Sequence, residues 1–123
     1  ARETAEALER KTGCIITLCD FSDHDRLRSE LSQSRILTNA TSLGMAPNED
    51  TCPIPDTSFL PDGLIVSDII YNPKETRLLS MAREKGLPAF NGSYMLLYQG
   101  AEAFRLWTGK EMPVALIKNM FFS

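Results

Sequence analysis

The sequence is poor in cysteine, histidine and tryptophan, with three, one and one among 123 residues. Cys14, Cys19 and Cys52 form an odd set with no C-x-x-C pair. That spacing argues against a zinc ribbon or a disulfide framework and suits a reducing cytoplasm, where the protein is expected to work. Positive charge is not in excess: 13 Lys and Arg face 16 Asp and Glu, for a net charge of -3. A chain with this balance has no basic field to attract nucleic acid or an anionic membrane, so neither is an expected partner. No apolar run approaches the roughly 20 residues that span a bilayer. The P-loop, the G-x-S-x-G elbow and the G-x-G-x-x-G fingerprint are all missing.

What remains has 43% hydrophobic and 24% charged residues, an ordinary globular composition. Its length suits one core and one domain, residues 1–123. The chain starts at Ala1 rather than Met, directly in a helical pattern, which leaves room for an upstream segment and any targeting signal. Two sequons, Asn39-Ala40-Thr41 and Asn91-Gly92-Ser93, stand without any other sign of secretion.

Hydrophobic periodicity predicts a helix over 1–11, ended by Gly13, and a short β-branched strand over 14–19. Ser22 and Asp25 predict the start of a helix that runs to about residue 33. A second strand covers 35–39. A loop rich in Pro, Asn and Asp fills about 41–60, long for a compact domain. The most apolar run, 64–71, reads as a strand buried on both faces. Asn72-Pro73 breaks it, and Leu78, Leu79 and Ala82 mark a helix closed by Gly86. A last short strand follows at 87–90, then a helix over 93–107. On that helix Leu96, Gly100, Ala103 and Trp107 form a stripe whose small residues predict close packing on a sheet. Gly109 stops it, and Pro113 opens a final helix through Ile117 to Phe121. Strand–helix alternation of this kind predicts a parallel, layered α/β sheet.

In such sheets ligands bind beyond the carboxyl ends of the strands. That places the candidate site on three loops, carrying Asn39, Thr41 and Ser42; Tyr71 and Asn72; and Gly92. Each loop also has a plainer reading. Asn39 and Ser42 would terminate a strand and cap a turn, Asn72-Pro73 and Asn91-Gly92 would be simple turns, and Tyr71 would only pack its ring. His24, in the first turn of a polar helix, reads as a surface residue, and Glu49-Asp50 as solvated loop. Met95 and Trp107 read as core, with Met95 near enough to Gly92 to face a ligand.

Three ordered motifs then carry a resemblance. Asn39-Ala40-Thr41-Ser42-Leu43-Gly44-Met45 resembles NAT-x-x-GM. The stretch Asp68-Ile69-Ile70-Tyr71-Asn72-Pro73, followed by Thr76 and Leu78-Leu79, resembles D-x-x-YNP-x-x-T-x-LL. Met95-Leu96, Gln99-Gly100-Ala101, Phe104 and Trp107-Thr108-Gly109 resemble ML-x-x-QGA-x-x-F-x-x-WTG. Together they are similar to the C-terminal, NAD(P)-binding portion of the shikimate/quinate dehydrogenase family, over the last two-thirds of the chain. The resemblance implies a Rossmann-like, three-layer parallel sheet truncated at its N-terminal half. It also implies an NADP- or NAD-dependent oxidoreductase that interconverts shikimate, or quinate, with its 3-dehydro ketone. Tyr71 and Gln99 would then face the substrate. Asn39, Thr41, Ser42, Ile69, Asn72, Gly92 and Met95 would border the cofactor: Thr41 and Ser42 along a ribose, Ile69 and Gly92 through backbone groups, Met95 on the nicotinamide ring. Tyr94 departs from the family pattern, standing where a second Gly is usual.

The family's Gly-rich loop, the residue that chooses NAD or NADP and the catalytic Lys/Asp pair have no counterpart in this sequence. No catalytic residue is therefore assigned, and the isolated chain is expected to be inactive. A non-catalytic nucleotide-binding or interaction module of the same fold is the alternative, and an unrelated hydroxy-acid dehydrogenase domain is a third reading. In the strand order 3-2-1-4-5-6 the strands read here would be the third to sixth. The first would lie on the order of 14 Å from the next, at about 4.8 Å per strand. Such a chain is expected to close the gap by rearrangement or to pair its open edges in a homo-oligomer.

Overall fold

The computed structural model describes residues 1–122. Three parallel strands form one sheet in the order β1 (Ile36–Asn39), β2 (Ile65–Asp68), β3 (Ala89–Phe90). Leu37 pairs with Val66, Asn39 with Asp68, and Val66 with Ala89. Five helices accompany them: α1 (Arg2–Thr12), α2 (His24–Ser32), α3 (Arg77–Glu84), α4 (Ser93–Thr108) and α5 (Val114–Phe121). The parallel α/β reading holds, and the sheet is a partial one.

The apolar residues in and beside β2 show which face is the core. Leu64, Val66 and Ile70 are buried, whereas Ile65 and Ile69 are each 37% exposed. The buried face meets Leu27 and Leu31 of α2 and Leu78, Leu79, Met81 and Ala82 of α3 in one cluster, sealed by Phe59 and Leu60. Each of the Leu, Val, Ile, Met and Phe side chains contributes about 1.5–3 kcal/mol on leaving water. The opposite face leaves Ile36 and Phe90 more than half exposed. Thr76 caps α3 by accepting from Leu79 N–H, and Asp23 caps α2 by accepting from Arg26 N–H.

Several expectations need correction. Residues 14–19 form no strand: Ile15 is 93% exposed, and the Ile16 N–H donates to the Glu9 carboxylate at 2.8 Å. An apolar, β-branched run makes a strand only where a neighbour offers a ladder. Here β1 pairs with β2 alone, so the chain has not closed the predicted gap by rearrangement. The cap of α2 is Asp23 rather than Ser22, whose hydroxyl donates to Asp20 instead. The long loop contains a 3-10 turn, Thr57–Phe59, capped by Asp56.

The α4 stripe is also not a buried one. Trp107 is 85% exposed and Met95 52%, while Leu97 is the residue that α4 buries. The helix has 16 residues, about 24 Å at 1.5 Å per residue, and the three-stranded sheet does not extend beneath it. Its packing partner is α5.

Candidate functional site

The carboxyl ends of β1 and β2 stop at a paired register, Asn39 opposite Asp68. Both side chains are 2% exposed. The Asn39 amide nitrogen lies 3.2 and 3.1 Å from the two Asp68 oxygens and also donates to Leu43 O at 3.0 Å. Its amide oxygen accepts from the Thr41 N–H at 3.1 Å and the Thr41 hydroxyl at 2.7 Å. The Thr41 oxygen accepts in turn from the Leu43 N–H. A strand-ending asparagine thus folds the next four residues into a tight turn. The Asp68 carboxylate further accepts from the Ile70 N–H at 3.0 Å and the Thr76 hydroxyl at 2.8 Å.

Above these ends lies a cavity of about 600 Å³, walled chiefly by Thr41, Ser42, Met45, Ile69, Tyr71 and Met95, with Asn72 at its side. Most of the wall is apolar, with a few polar groups among it, the usual composition of a small-molecule site. Ser42 and Asn72 are exposed, as is Tyr71 at 48%, and their side-chain polar groups have no partner among the described residues. They are free to bond a ligand.

Gly92 closes the arrangement from beneath α4. Its N–H donates to Ile70 O at 2.9 Å. A Cβ built at this position would lie 1.9 Å from the Ile69 carbonyl oxygen and 2.5 Å from its carbon. Only glycine lets the start of α4 sit on the end of β2, which is what brings Met95 to the cavity wall. Asn91 secures the same junction, donating to Lys74 O at 2.7 Å and accepting from the Ser93 N–H.

Of the predicted site residues, the cavity thus gathers Thr41, Ser42, Ile69, Tyr71, Asn72 and Met95. Asn39 lies below it as a brace, and Gly92 touches Ile69 at its edge. Gln99 does not line it; the residue is exposed on α4, four positions after Met95 and so on the same helix face one turn further along. Tyr94 is not a lining residue of this cavity either. It borders a neighbouring recess with Phe121 and Phe122, and the Lys118 ammonium sits 4.8 Å from its ring centre. His24 is exposed with its ring edge-on to Phe59, as a surface residue should be. Sequence reasoning assigned no role to Asp68 or Thr76. An aspartate ending the strand opposite the asparagine, with a threonine eight residues on, was the available signal.

A family described as the Shikimate 5'-dehydrogenase C-terminal domain matches residues 92–119. Over 122 residues, 99% of the chain, the sequence is 48% identical to the shikimate dehydrogenase (NADP(+)) of Listeria innocua. Over nearly its whole length the chain is similar to the C-terminal portion of shikimate dehydrogenases. It spans 42% of that relative's length. The fold agrees with a shikimate 5-dehydrogenase of Listeria monocytogenes, solved in complex with shikimate and NAD, at TM-score 0.88 and 47% identity, covering 98% of this chain and 42% of that one. A quinate dehydrogenase of Corynebacterium glutamicum in complex with NAD aligns at TM-score 0.80 and 29% identity, covering 99% and 42%.

Proposed function

We propose that this chain forms the nicotinamide-facing part of an NADP- or NAD-dependent shikimate or quinate dehydrogenase, and that residues 1–123 are the C-terminal part of its cofactor-binding domain. One observation carries the reading: six of the nine residues assigned by resemblance meet at a single cavity beyond the carboxyl ends of parallel strands. The bound cofactor supplies a hydride acceptor. Thr41 and Ser42 would meet a ribose. The Thr41 hydroxyl already donates to Asn39 and accepts from Leu43, so it retains one lone pair, whereas Ser42 is fully free. The exposed Ile69 side chain and Met95 offer apolar surface to a flat ring. Tyr71 and Gln99 would orient the substrate by hydrogen bonds from a phenol and a carboxamide.

Oxidation of the carbinol sends two electrons and one hydrogen to the cofactor as hydride, and the hydroxyl proton must go to a base. Of the residues that line the cavity Tyr71 alone is ionisable, and the reading gives it to the substrate; the Asp68 carboxylate, behind the wall, already accepts from Asn39, the Ile70 N–H and Thr76. The family resemblance puts the base, one of a Lys/Asp pair, outside these residues, so the 123-residue chain alone should not turn over. Tyr94 has the Lys118 ammonium near its ring and also borders a small recess with Ile69, Gly92 and Met95.

Our reading assigns the reaction to the cytoplasm, which three free cysteines, one of them exposed, support. No helix among the described residues is long and apolar enough to cross a membrane. The open edge of β1, beside exposed Ile36, is the surface through which copies would associate, and light scattering across a concentration series reads this out.

For the test, the chain is joined to the N-terminal part of the Listeria monocytogenes relative. Shikimate-dependent reduction of NADP+ is expected from the joined protein and not from the chain alone. Tyr71→Phe and Gln99→Ala should each raise KM for shikimate. A joined, folded protein whose KM ignores both substitutions contradicts the assignment.

A further inference from the structure

We propose that Asp68 is a positioning residue for the cavity: its buried carboxylate locks the turn at 41–43 and the segment 69–71 into one fixed relation. The inference rests on reading that cavity as the nicotinamide site. A carboxylate 2% exposed is an expensive thing to bury unless donors surround it. Here three groups do so, with one Asn39 N–H shared between the two oxygens. One accepts from Asn39 at 3.2 Å and the Ile70 N–H at 3.0 Å, the other from Asn39 at 3.1 Å and the Thr76 hydroxyl at 2.8 Å. Buried behind the wall and already accepting from three groups, the carboxylate does not face a substrate, which separates it from a general base or a ligand-binding acid.

What those donors belong to gives the role. Asn39 carries the turn that presents Thr41 and Ser42, through its contacts to Thr41 and Leu43 O. Ile70 lies between Ile69 and Tyr71 on the facing wall, and its carbonyl accepts from the Gly92 N–H, tying in the start of α4 and Met95. Thr76 is the cap of α3 and anchors the assembly to the core. One carboxylate is therefore the common acceptor for three segments that wall or support the cavity. Aspartate is specified over asparagine by geometry. The Asn39 nitrogen sits almost equally far from both oxygens, so in Asp68→Asn either orientation of the new amide sets an NH2 against it.

The test uses the 123-residue chain with NADP+ as the probe, comparing Asp68→Asn, Thr76→Val and Thr76→Ser. Two quantities are read: the Kd for NADP+, and the backbone amide resonances of Thr41, Leu43 and Ile70 in the free protein. Asp68→Asn is expected to move those amides and to raise Kd at least about tenfold. Thr76→Val should do so several-fold less, and Thr76→Ser, which keeps the hydroxyl, should match the parent. A purely structural role would lower the melting temperature while leaving the folded protein's amides and Kd where they were, and that result overturns the proposal. If Asp68→Asn does not fold, Thr76→Val decides on the same two readouts. If the lone chain shows no NADP+ binding, Kd is read in the protein joined to the N-terminal part of the Listeria monocytogenes relative; no binding there overturns the nicotinamide reading, and the three amide positions still decide the positioning claim.

Discussion

Replacing Gly92 by alanine puts a methyl group where the backbone of β2 already is. The new Cβ would stand 1.9 Å from the Ile69 carbonyl oxygen. Carbon–oxygen contacts settle at about 3.3–3.6 Å, so α4 or the end of β2 must move by about 1.4 Å or more. The obstacle is main chain on both sides and cannot rotate away. Overpacking of this kind costs about 1–3 kcal/mol, and the upper end applies when backbone must yield. Alanine is also a poorer helix cap than glycine, which adds about 0.5 kcal/mol at the first turn of α4. The expected loss is about 3 kcal/mol, a fall of about 10–15 °C in melting temperature for a chain of this size. Gly100 provides the control on the same helix. A Cβ there meets nothing within 4 Å, and the residue is exposed in the middle of α4. Gly100→Ala should therefore stabilise by about 0.5–1 kcal/mol through helix propensity. Thermal melts followed by far-ultraviolet circular dichroism measure both. The reasoning fails if Gly92→Ala melts with the parent, or if the two substitutions change stability in the same direction.

The Arg28 guanidinium lies 4.0 Å over the Phe59 ring and donates to Ser58 O at 2.9 Å and Ser58 Oγ at 3.0 Å. Arg28→Ala should cost about 1–2 kcal/mol in urea unfolding, and Arg28→Lys should restore less than half of it. The Asp56 carboxyl is held below the ordinary aspartate range by the Ser58 hydroxyl and then by the Ser58 N–H. A depressed folded value means that its contribution is present above the unfolded-state value and disappears as pH falls through the folded one. An NMR titration should show Asp56 titrating on the acid side of that range, and Ser58→Ala should move it up. Burial pushes the Cys52 thiol up, whereas Cys14 is exposed. Timed iodoacetamide labelling at mildly alkaline pH should modify Cys14 well before Cys52, and equal rates would contradict the burial.

Helices were the most legible part of the fold, because their signals are local. Gly13 and Gly109 end α1 and α4 where expected, and Pro113 immediately precedes α5. The strand at 14–19 was misread because strands depend on neighbours: Cys14 to Cys19 have the right residues and no ladder to join. Trp107 was misread for a related reason. Its stripe on α4 is apolar, but how far a sheet reaches beneath a helix is a property of the sheet, not of the helix. At the site, the motif residues that line the cavity were legible one loop at a time. Their convergence followed from the parallel sheet, which places successive strand ends on one edge. The Asp68 network was not legible, since a buried aspartate and a solvated one look alike in sequence. It takes the register of Asn39 opposite Asp68 to show which one this is.

The central claim is that the cavity bordered by Thr41, Ser42, Ile69, Tyr71 and Met95 receives the nicotinamide end of the cofactor. The direct measurement is a titration of the isotopically labelled 123-residue chain with NADP+, following every backbone amide by two-dimensional NMR. The account predicts saturable shifts concentrated at residues 41–45, 69–72 and 92–95, with α1 and α2 unmoved. Shifts confined to α1, to α2 or to the exposed face of the sheet at Ile36 and Phe90 would contradict it.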